Sequence, residues 1–333
     1  MAKAIKELLV KKLAAGEFVS GQTLGAELGV SRTAISKQIN SLSEMGLDIF
    51  RVSGKGYKLS KPIELLNKVD ITKQLALQNM QPLIEIHNII DSTNSYLMRR
   101  IPNHVQKGQV CIAEYQSSGR GRRGRQWISP FGSHIYMSMY WLLPQGITAA
   151  MGLNTLIALA ISDAIYALYQ IKVQLKWPND IYLNGLKVAG ILIDLEGTPN
   201  EPCHAVIGIG LNLNMPDKSG AQVDQPWTDL QKHTSKSINR NKLVASIITC
   251  LTKRLKQHEA SSLGSNSESA ADNMIEEWNQ SDFFYNKPIK LITGTQQIHG
   301  ICKGINEQGA LLLQVDDKIT VIYGGEVSLR GDK

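Results

Sequence analysis

The chain reads Gly-Arg-Gly-Arg-Arg-Gly-Arg from Gly119 to Arg125, and the interpretation of this stretch decides the fold of its central part. The glycines fit Gly-x-Gly-x-x-Gly, the fingerprint of a dinucleotide-binding turn, which needs a strand before it and a helix directly after it. A strand candidate does precede it, but Gln126–Pro130 cannot open a helix. Arginines also fill positions that such a turn packs against its sheet. The sequence therefore predicts a loop within a different fold.

Strands and helices alternate around this loop, from Leu83 to about Leu213. Helical spacing is found in Ser92–Arg100 and in the long apolar stretch Thr148–Tyr169. The strand candidates are Val110–Tyr115, His134–Trp141, Gln174–Trp177, Ile181–Leu183, Val188–Leu195 and His204–Leu213. Because several strands are neighbours in sequence, we predict an α+β domain with helices packed on one face of the sheet.

The first 61 residues predict three short helices followed by a β-hairpin. Gly29 provides a tight turn between two helices, and Ser31 is a natural N-cap for the second. That helix presents groups that can reach DNA bases and phosphates, and the hairpin adds a basic wing. The residues concerned are Ser31, Arg32, Thr33, Ser36, Lys37 and Gln38, with Arg51, Lys55 and Lys58 in the hairpin. We expect a winged helix-turn-helix that binds DNA; a winged-helix module for protein contacts is the alternative.

Composition and charge support this division of the chain. About five of the seven formal positive charges lie in residues 1–61, where ten Lys and Arg stand against five acids. The hydrophobic content of 43% is ordinary for a globular chain, and no apolar run approaches the roughly 20 residues of a membrane span. Met1–Phe18 lacks the pattern of a signal peptide. The four cysteines have neither metal-site nor disulfide spacing, so we expect reduced thiols in the cytoplasm.

Beyond the central part, the pattern predicts one more helix and a small β domain. Leu243–Leu255 is amphipathic, and Ser261–Asn273 is rich in Ser, Asn and acids, which predicts a loose surface segment. Short alternating strands follow from Lys287, and we predict that they form a small β-barrel. They are Ile289–Thr293, Gln297–Lys303, Ala310–Val315 and Lys318–Tyr323.

Several polar segments of the central part suit a ligand that carries phosphate. Gly119–Arg125 places four guanidinium groups on a flexible backbone, and arginine can hold a phosphate in a bidentate fork. Asp91–Asn94 offers hydroxyls and an amide at a helix start, and Lys176–Asp180 ends a strand with a cation. Lys187 precedes an apolar strand, and Gly208–Asn214 combines glycines with an amide suited to adenine. Together they predict a nucleotide site; taken singly, N-capping, a localisation signal and a second nucleic-acid patch are alternatives.

The chain resembles the family of bifunctional biotin–protein ligases that also repress the biotin operon. The motifs, spread over residues 5–330, are Asp91-Ser92-Thr93-Asn94, Gln116 with Gly119–Trp127, Ser129-Pro130-Phe131-Gly132, Lys176–Asp180, Lys187-Val188-Ala189-Gly190 and Gly324–Arg330. The resemblance is to the repressor type because the winged helix is present. It implies a multidomain α+β chain. The expected domains are a winged helix-turn-helix at 1–61, a class II-synthetase-like mixed sheet that binds biotin and ATP at 62–284, and an SH3-like β-barrel at 285–333.

The resemblance also implies an enzyme that makes biotinyl-5′-AMP from biotin and Mg²⁺-ATP, then transfers biotin to a lysine of a biotin carboxyl carrier protein. The catalytic residues would be Arg122 and Lys187, which neutralise charge on the phosphates. The biotin contacts would be Ser92, Thr93, Asn94, Gln116, Arg120, Gly121, Arg122 and Lys187. The ATP or adenylate contacts would be Arg122, Arg125, Lys176, Asn179, Asp180, Asn212 and Trp227. Mg²⁺ would come with ATP, and Asp180 would either position it or order the loop.

By the same resemblance, Met215–Trp227 is a loop that orders around the adenylate, with Val223 and Trp227 over the adenine; a buried anchor is the other interpretation of Trp227. The adenylate acts in the family as corepressor, since it promotes a homodimer, formed through the central sheet, that binds operator DNA. Two departures are visible. Ser261–Asn273 is longer than the corresponding stretch in the family, and Glu196–Pro202, near the expected dimer surface, differs in composition, which leaves the strength of repression open.

Three alternatives stay open on the sequence. A lipoate- or octanoyl-type protein ligase has a related fold, but without the winged helix or this arginine-rich loop. A biotin-sensing repressor with an inactive enzyme site is disfavoured because both Arg122 and Lys187 are present. A ligase with a vestigial wing would not bind an operator.

Overall fold

The N-terminal part of the chain folds as three helices and a hairpin. The structure is a computed structural model that describes residues 2–198, 201–262, 267–293, 296–324 and 327–331. The elements are α1 (Ala2–Leu13), α2 (Gly21–Leu28), α3 (Arg32–Glu44), β1 (Ile49–Val52) and β2 (Gly56–Leu59). The hydroxyls of Ser20 and Ser31 cap α2 and α3, accepting the amides of Thr23 and Ala34 at 3.0 and 3.1 Å. Gly29 ends α2 with φ of 66°, so the predicted helix-turn-helix with its wing is confirmed.

The core of this N-terminal module also receives a side chain from the central part. Leu9, Leu24 and Ile35 have no exposed surface and form its centre. Phe131 packs into the same cluster, and its amide donates to the carbonyl oxygen of Met45 at 2.8 Å. The module is therefore packed against the rest of the chain.

A seven-stranded sheet forms the middle of the chain. Its strands are β3 (Ile84–His87), β4 (Val110–Ala113), β5 (His134–Leu143), β6 (Gln174–Lys176), β7 (Asp180–Leu183), β8 (Leu186–Glu196) and β9 (Cys203–Asn212). They lie in the order β3-β4-β5-β9-β8-β7-β6, and of the neighbouring pairs only β3 and β4 are parallel. The helices are α4 (Lys68–Ala76), α5 (Thr93–Met98), α6 (Leu153–Tyr169), α7 (Asp217–Gly220), α8 (Arg240–Ser262) and α9 (Ser267–Ser281).

The two faces of this sheet have different partners because side chains alternate along each strand. Val110, Met137 and Ile207 belong to the main core with the long helices α6 and α8. Cys111 and Tyr136 belong to a smaller cluster on the opposite face, where α5 packs. The α+β class is confirmed; the prediction of helices on one face is right for the long helices and wrong for α5.

Five elements were not predicted from the sequence: α4, β3, α7, α9 and β14. The segment Ser261–Asn273, predicted to be loose, is helical where it is described, because α8 continues to Ser262 and α9 begins at Ser267. Trp278 anchors α9, since it is fully buried and its indole N–H donates to Asp282 at 3.2 Å. Residues 263–266 lie outside the described ranges, as do 199–200 in the turn after β8 and 325–326 in the C-terminal motif.

One segment, Ile147–Tyr169, is long and apolar enough to cross a membrane by length and composition, contrary to the sequence expectation (mean hydropathy 1.5). Of its most apolar stretch, 56% is buried inside the structure. Its helix α6 packs against α8 and contacts β8. The segment is therefore the central helix of the main core.

Five antiparallel strands form the C-terminal domain. They are β10 (Pro288–Thr293), β11 (Gln296–Ile305), β12 (Leu311–Val315), β13 (Lys318–Ile322) and β14 (Val327–Gly331), in the order β13-β12-β11-β10-β14. The predicted β domain is confirmed, while closure into a barrel and the boundaries at residues 61 and 284 stay predictions. Ile289 and Leu313 join the main core, and the indole N–H of Trp177 donates to Gly309 at 3.0 Å. The domain thus packs beside the turn between β6 and β7.

A buried ion pair fixes the segment that joins the N-terminal module to the sheet. Arg240 Nη1 lies 2.7 Å from Glu114 Oε2, and the two side chains are 7% and 1% exposed. The Glu114 carboxylate also accepts the amide of Leu66. Arg240 donates to the carbonyl oxygens of Glu64 and His134 at 3.0 and 2.9 Å. The joining segment is therefore bound to the central domain through charged groups.

Removing one member of this pair should strongly destabilise the protein. Arg240→Ala leaves the Glu114 carboxylate buried without its cation, which typically costs about 3–5 kcal/mol. The matched control is Arg254→Ala on the same helix, since Arg254 pairs with two half-exposed carboxylates and should contribute only about 1 kcal/mol. Urea denaturation measures the free energy of unfolding of both variants. Equal losses of stability would contradict the expected contribution of the buried ion pair.

The stability of the folded chain should depend on pH through His134. Complete burial lowers the pKa of its imidazole from 6.5 to about 3. The unfolded chain takes up a proton as the pH falls below about 6.5, while the folded chain does not until about pH 3. Unfolding should therefore become easier with falling pH in this window, by about 1.4 kcal/mol per pH unit.

The variant His134→Asn tests this expectation because an amide oxygen can accept the Leu213 amide, which donates to His134 Nδ1 at 3.0 Å. Urea denaturation at several pH values should give the variant a shallower pH slope than the wild type. His104→Asn, at an exposed position, serves as control and should keep the wild-type slope. An unchanged slope in His134→Asn would refute the assignment.

Candidate active site

A cavity of about 320 Å³ opens on the sheet face where α5 packs. Its walls come from the start of α5, the loop 116–128, the turn between β6 and β7, strands β8 and β9, and the segment 215–227. Every residue predicted to contact biotin or ATP lines this cavity. They are Ser92, Thr93, Asn94, Gln116, Arg120, Gly121, Arg122, Arg125, Lys176, Asn179, Asp180, Lys187, Asn212 and Trp227. Their separate roles stay predictions.

Glycines leave this part of the sheet without side chains. A Cβ at Gly208 would collide with the Asn94 carboxamide, and one at Gly210 would collide with the Trp127 ring. Gly190 lies opposite Gly210 on β8 and also borders that ring. The close backbone approach predicted for this strand is therefore present, because Asn94 and Trp127 rest directly on the main chain.

One end of the cavity is polar and uncharged. Gln116 Oε1 accepts the Thr93 amide at 2.9 Å, and Gln116 Nε2 donates to Ser129 Oγ at 3.2 Å. Ser138 Oγ lies 2.7 Å from Thr93 Oγ1 and 2.5 Å from Asn94 Oδ1. All five side chains are buried. A connected network holds its groups in fixed orientations, which suits a neutral ligand group that has both donors and acceptors.

The glycine–arginine stretch forms a loop beside this network. Arg120 and Gln126 form an isolated bridge, and the Gly121 amide donates to the Arg125 carbonyl at 2.7 Å. Between them is a single 3₁₀ turn in which Arg123 has φ of 58°. The stretch does not open a helix, so the exclusion of a dinucleotide-binding turn is confirmed.

Cations gather at the other end of the cavity. Lys187 Nζ lies 2.7 Å from Asp180 Oδ1, with side chains 13% and 19% exposed. Arg122 donates to Asn179 Oδ1 at 3.0 Å. Burial lowers the pKa of Arg122 and of Lys176, and the nearby Asp180 carboxylate partly opposes this. Three cations around one carboxylate leave an excess of positive charge, so this end suits phosphate groups.

The segment 215–227 covers the cavity from one side. Trp227 donates to the last carbonyl of α7 at 3.1 Å and also lines the cavity, as does Val223. The Thr228 amide donates to the Lys187 carbonyl at 2.8 Å, and the Asn212 carboxamide donates to the Thr228 carbonyl at 3.1 Å. Trp227 thus both anchors the segment through its indole N–H and lines the cavity. Its contacts are consistent with a structural anchor and with a residue that covers the ligand.

Sequence reasoning assigned no individual role to several residues in or beside this site, among them Trp127, Ser138, Asp194 and Leu329. The indole N–H of Trp127 is buried without a hydrogen-bond partner among the described residues. Ser138 and Asp194 are polar positions within apolar strands, and that contrast is the signal that could have found them. Leu329 lines the cavity from β14, and no local sequence pattern predicts this contact between distant parts of the chain.

The residues predicted to bind DNA lie away from the cavity. Ser31 caps α3, and the four residues that follow in the predicted set lie in the first two turns of that helix. Lys55 lies in the hairpin, between β1 and β2. The whole predicted set is Ser31, Arg32, Thr33, Ser36, Lys37 and Lys55. None of them lines the cavity, so the two predicted functions use separate surfaces.

The carboxylates among the cavity-lining residues are Asp180 and Asp224. Within the described ranges, no group of three or more His, Cys, Asp or Glu could hold a metal ion. A divalent cation bound here would need oxygen ligands from a substrate as well.

Family comparisons match each part of this architecture. Residues 86–212 match the Biotin/lipoate A/B protein ligase family. Residues 6–58 match the HTH domain, and residues 284–330 match the biotin protein ligase C terminal domain.

Individual relatives cover nearly the whole chain. The bifunctional ligase/repressor BirA of Escherichia coli (strain K12) is 44% identical over 322 residues, 97% of this chain and 96% of its own. The protein of the same name from Bacillus subtilis (strain 168) is 29% identical over 95% of both chains. The solved biotin protein ligase from Aquifex aeolicus in complex with biotin and ATP has a TM-score of 0.63 and 26% identity, over 75% of this chain and 99% of that one. The resemblance found in the sequence is confirmed: this chain belongs to the family of bifunctional biotin ligase/repressors.

Proposed function

We propose that the protein activates biotin with ATP to form biotinyl-5′-AMP and then transfers biotin to a lysine of a carrier protein. One observation carries this proposal: a buried neutral network and a group of partly buried cations adjoin within a single cavity. A ligand with a neutral head and a carboxylate tail can place its head in the network and its tail among the cations. The tail then meets the phosphates of a nucleotide.

The neutral network would hold the ureido ring of biotin, whose N–H groups and carbonyl need fixed acceptors and donors. Ser92, Thr93, Asn94 and Gln116 supply these groups, with the main chain of Arg120 and Gly121 closing over the ring. A lipoate-type ligand has no such polar head. Burying this network against it would leave donors and acceptors unpaired, which favours biotin as the substrate.

The cations would act on the reacting atoms. A biotin carboxylate oxygen bonds to the α-phosphorus, the bond from that phosphorus to the bridging oxygen breaks, and pyrophosphate leaves. Lys187 and Arg122 neutralise the charge that develops on the phosphate oxygens, because both side chains are already oriented by Asp180 and Asn179. In the second step the carrier lysine attacks the mixed anhydride, and AMP leaves. No covalent bond to the enzyme is needed.

The remaining cavity residues would hold the nucleotide. We expect Lys176 and Arg125, which line the cavity, to bind the outer phosphates, and Asn212, at the end of β9, to contact the adenine. Trp227 and Val223 would cover the ring. Mg²⁺ would enter with ATP and neutralise part of the phosphate charge, and Asp180, the carboxylate paired with Lys187, would help to hold it.

The same protein would repress transcription as an adenylate-bound homodimer. Beyond Leu192, strand β8 pairs with β9 on one side, while its pairing with β7 ends at Gly190. The open edge 193–196 and the exposed Leu195 offer a second copy both backbone groups and apolar surface. Two N-terminal modules then face one operator, with Ser31, Arg32, Thr33, Ser36, Lys37 and Lys55 toward DNA.

We also place the protein in the cytoplasm. All four cysteines are unpaired, and burial raises the pKa of the Cys111 and Cys302 thiols. Such thiols stay protonated and unreactive in a reducing compartment.

Loss of a cation should strongly slow adenylate formation. Lys187→Ala or Arg122→Ala should lower the rate of pyrophosphate release with biotin and Mg²⁺-ATP by about 10²–10³, the typical effect of losing one preorganised donor. Lys253→Ala, an exposed lysine of α8, is the control and should keep the wild-type rate. If the wild type releases no pyrophosphate with biotin, or mass spectrometry finds lipoate on the carrier in its place, the proposal fails.

Operator binding should require the adenylate and respond to salt. With biotinyl-5′-AMP present, Arg32→Ala should weaken binding to the operator of the biotin genes, and Lys55→Ala should reduce the dependence of affinity on salt by about one phosphate contact. Both variants should keep wild-type pyrophosphate release, because neither residue lines the cavity. A titration at two salt concentrations measures these effects. Operator binding that ignores the adenylate would refute the repressor proposal.

A further inference from the structure

Asp194 lies beside the cavity and touches two residues that line it. Its Oδ2 accepts the carboxamide N–H of Asn94 at 2.9 Å and also an N–H of the Arg120 guanidinium. Asn94 belongs to α5 and Arg120 to the glycine–arginine loop, so one carboxylate oxygen joins the two elements. Asp194 itself does not line the cavity.

An acceptor is needed at this position because both neighbours are donors, and a carboxylate makes the stronger, charge-assisted bond to the guanidinium. The guanidinium of Arg120 has no acceptor, and the Asn94 amide already directs its oxygen to Ser138 Oγ. Without an acceptor between them, the two N–H groups would face each other.

The contact also restrains the loop at its first turn. The Arg120 side chain is held toward β8, while the bridge between Arg120 and Gln126 closes the base of the loop. The main chain of Arg120 and Gly121 is therefore placed beside the buried network that includes Asn94. A contact that favours the closed arrangement of a loop reduces the entropy that the loop loses on binding a ligand.

We propose that Asp194 is a positioning residue for biotin, which ties the arginine loop to α5 and so holds together the two walls of the biotin end of the cavity. The inference rests on the proposed function, since it assumes that biotin occupies the neutral end. Asp194 contacts neither the phosphates nor the reacting carboxylate. Its loss should therefore weaken biotin binding and leave the chemical step nearly intact.

The experiment compares Asp194→Asn, Asp194→Ala and Asp194→Glu by calorimetry with biotin and by pyrophosphate release. In the Asn and Ala variants the Kd for biotin should rise about tenfold to a hundredfold, as expected for the loss of a charge-assisted hydrogen bond. The KM for ATP and the kcat at saturating biotin should stay within about twofold of the wild type. Asp194→Glu keeps the acceptor and should recover part of the affinity.

Two controls separate positioning from a general loss of structure. Asp163→Asn removes another carboxylate that pairs with an arginine, Arg254 on α8, and should leave the biotin Kd unchanged. In a double-mutant cycle, Arg120→Ala should have little further effect in the Asp194→Asn background, because both changes break one contact. Trypsin should also cut the arginine loop faster in Asp194→Asn than in the wild type when biotinyl-5′-AMP is bound.

The outcomes are distinct. A wild-type biotin Kd in Asp194→Asn, a fall in kcat without a change in Kd, or additive effects in the cycle would each overturn the positioning role alone. Absence of biotin binding by the wild type would overturn the proposed function, and this inference with it.

Discussion

The site depends on a strip of main chain that carries no side chains. Gly190, Gly208 and Gly210 lie on adjacent strands, and the Asn94 carboxamide and the Trp127 ring occupy the space that Cβ atoms would take. The start of α5 and the arginine loop can therefore lie directly on the sheet. A methyl group on this strip would displace both elements, and with them the walls of the cavity.

The two ends of the cavity differ in charge because different kinds of side chain line them. The hydroxyls and amides of the neutral end form most of their hydrogen bonds with one another, so these groups can be buried without carrying charge themselves. At the other end, Lys187, Arg122 and Lys176 surround the single carboxylate of Asp180, and burial already lowers the pKa of Arg122 and Lys176. This excess of partly buried positive charge is relieved when an anion binds, which makes phosphate a favourable occupant.

The sequence predicted those parts of the fold and the site that leave a local pattern. Ser31 as a cap, Gly29 as a turn and the loop at Gly119–Arg125 could be read directly, because each depends on neighbours within a few residues. The pairing of Glu114 with Arg240 could not be predicted, since it joins a strand end to a helix far along the chain. The helix α9 was missed because its serine-rich start outweighed the buried Trp278 in the composition.

The buried ion pair between Glu114 and Arg240 affects the position of the DNA-binding module relative to the sheet. It holds Glu64 and Leu66, a few residues beyond the hairpin, and Phe131 packs into the core of the N-terminal module itself. The helix α3, which presents most of the residues predicted to bind DNA, therefore lies at a fixed distance and angle from the edge of the central sheet. In the proposed dimer, the two N-terminal modules therefore hold their DNA-binding helices at a fixed separation. The spacing between operator half-sites is then set by the folded protein and not by a flexible linker.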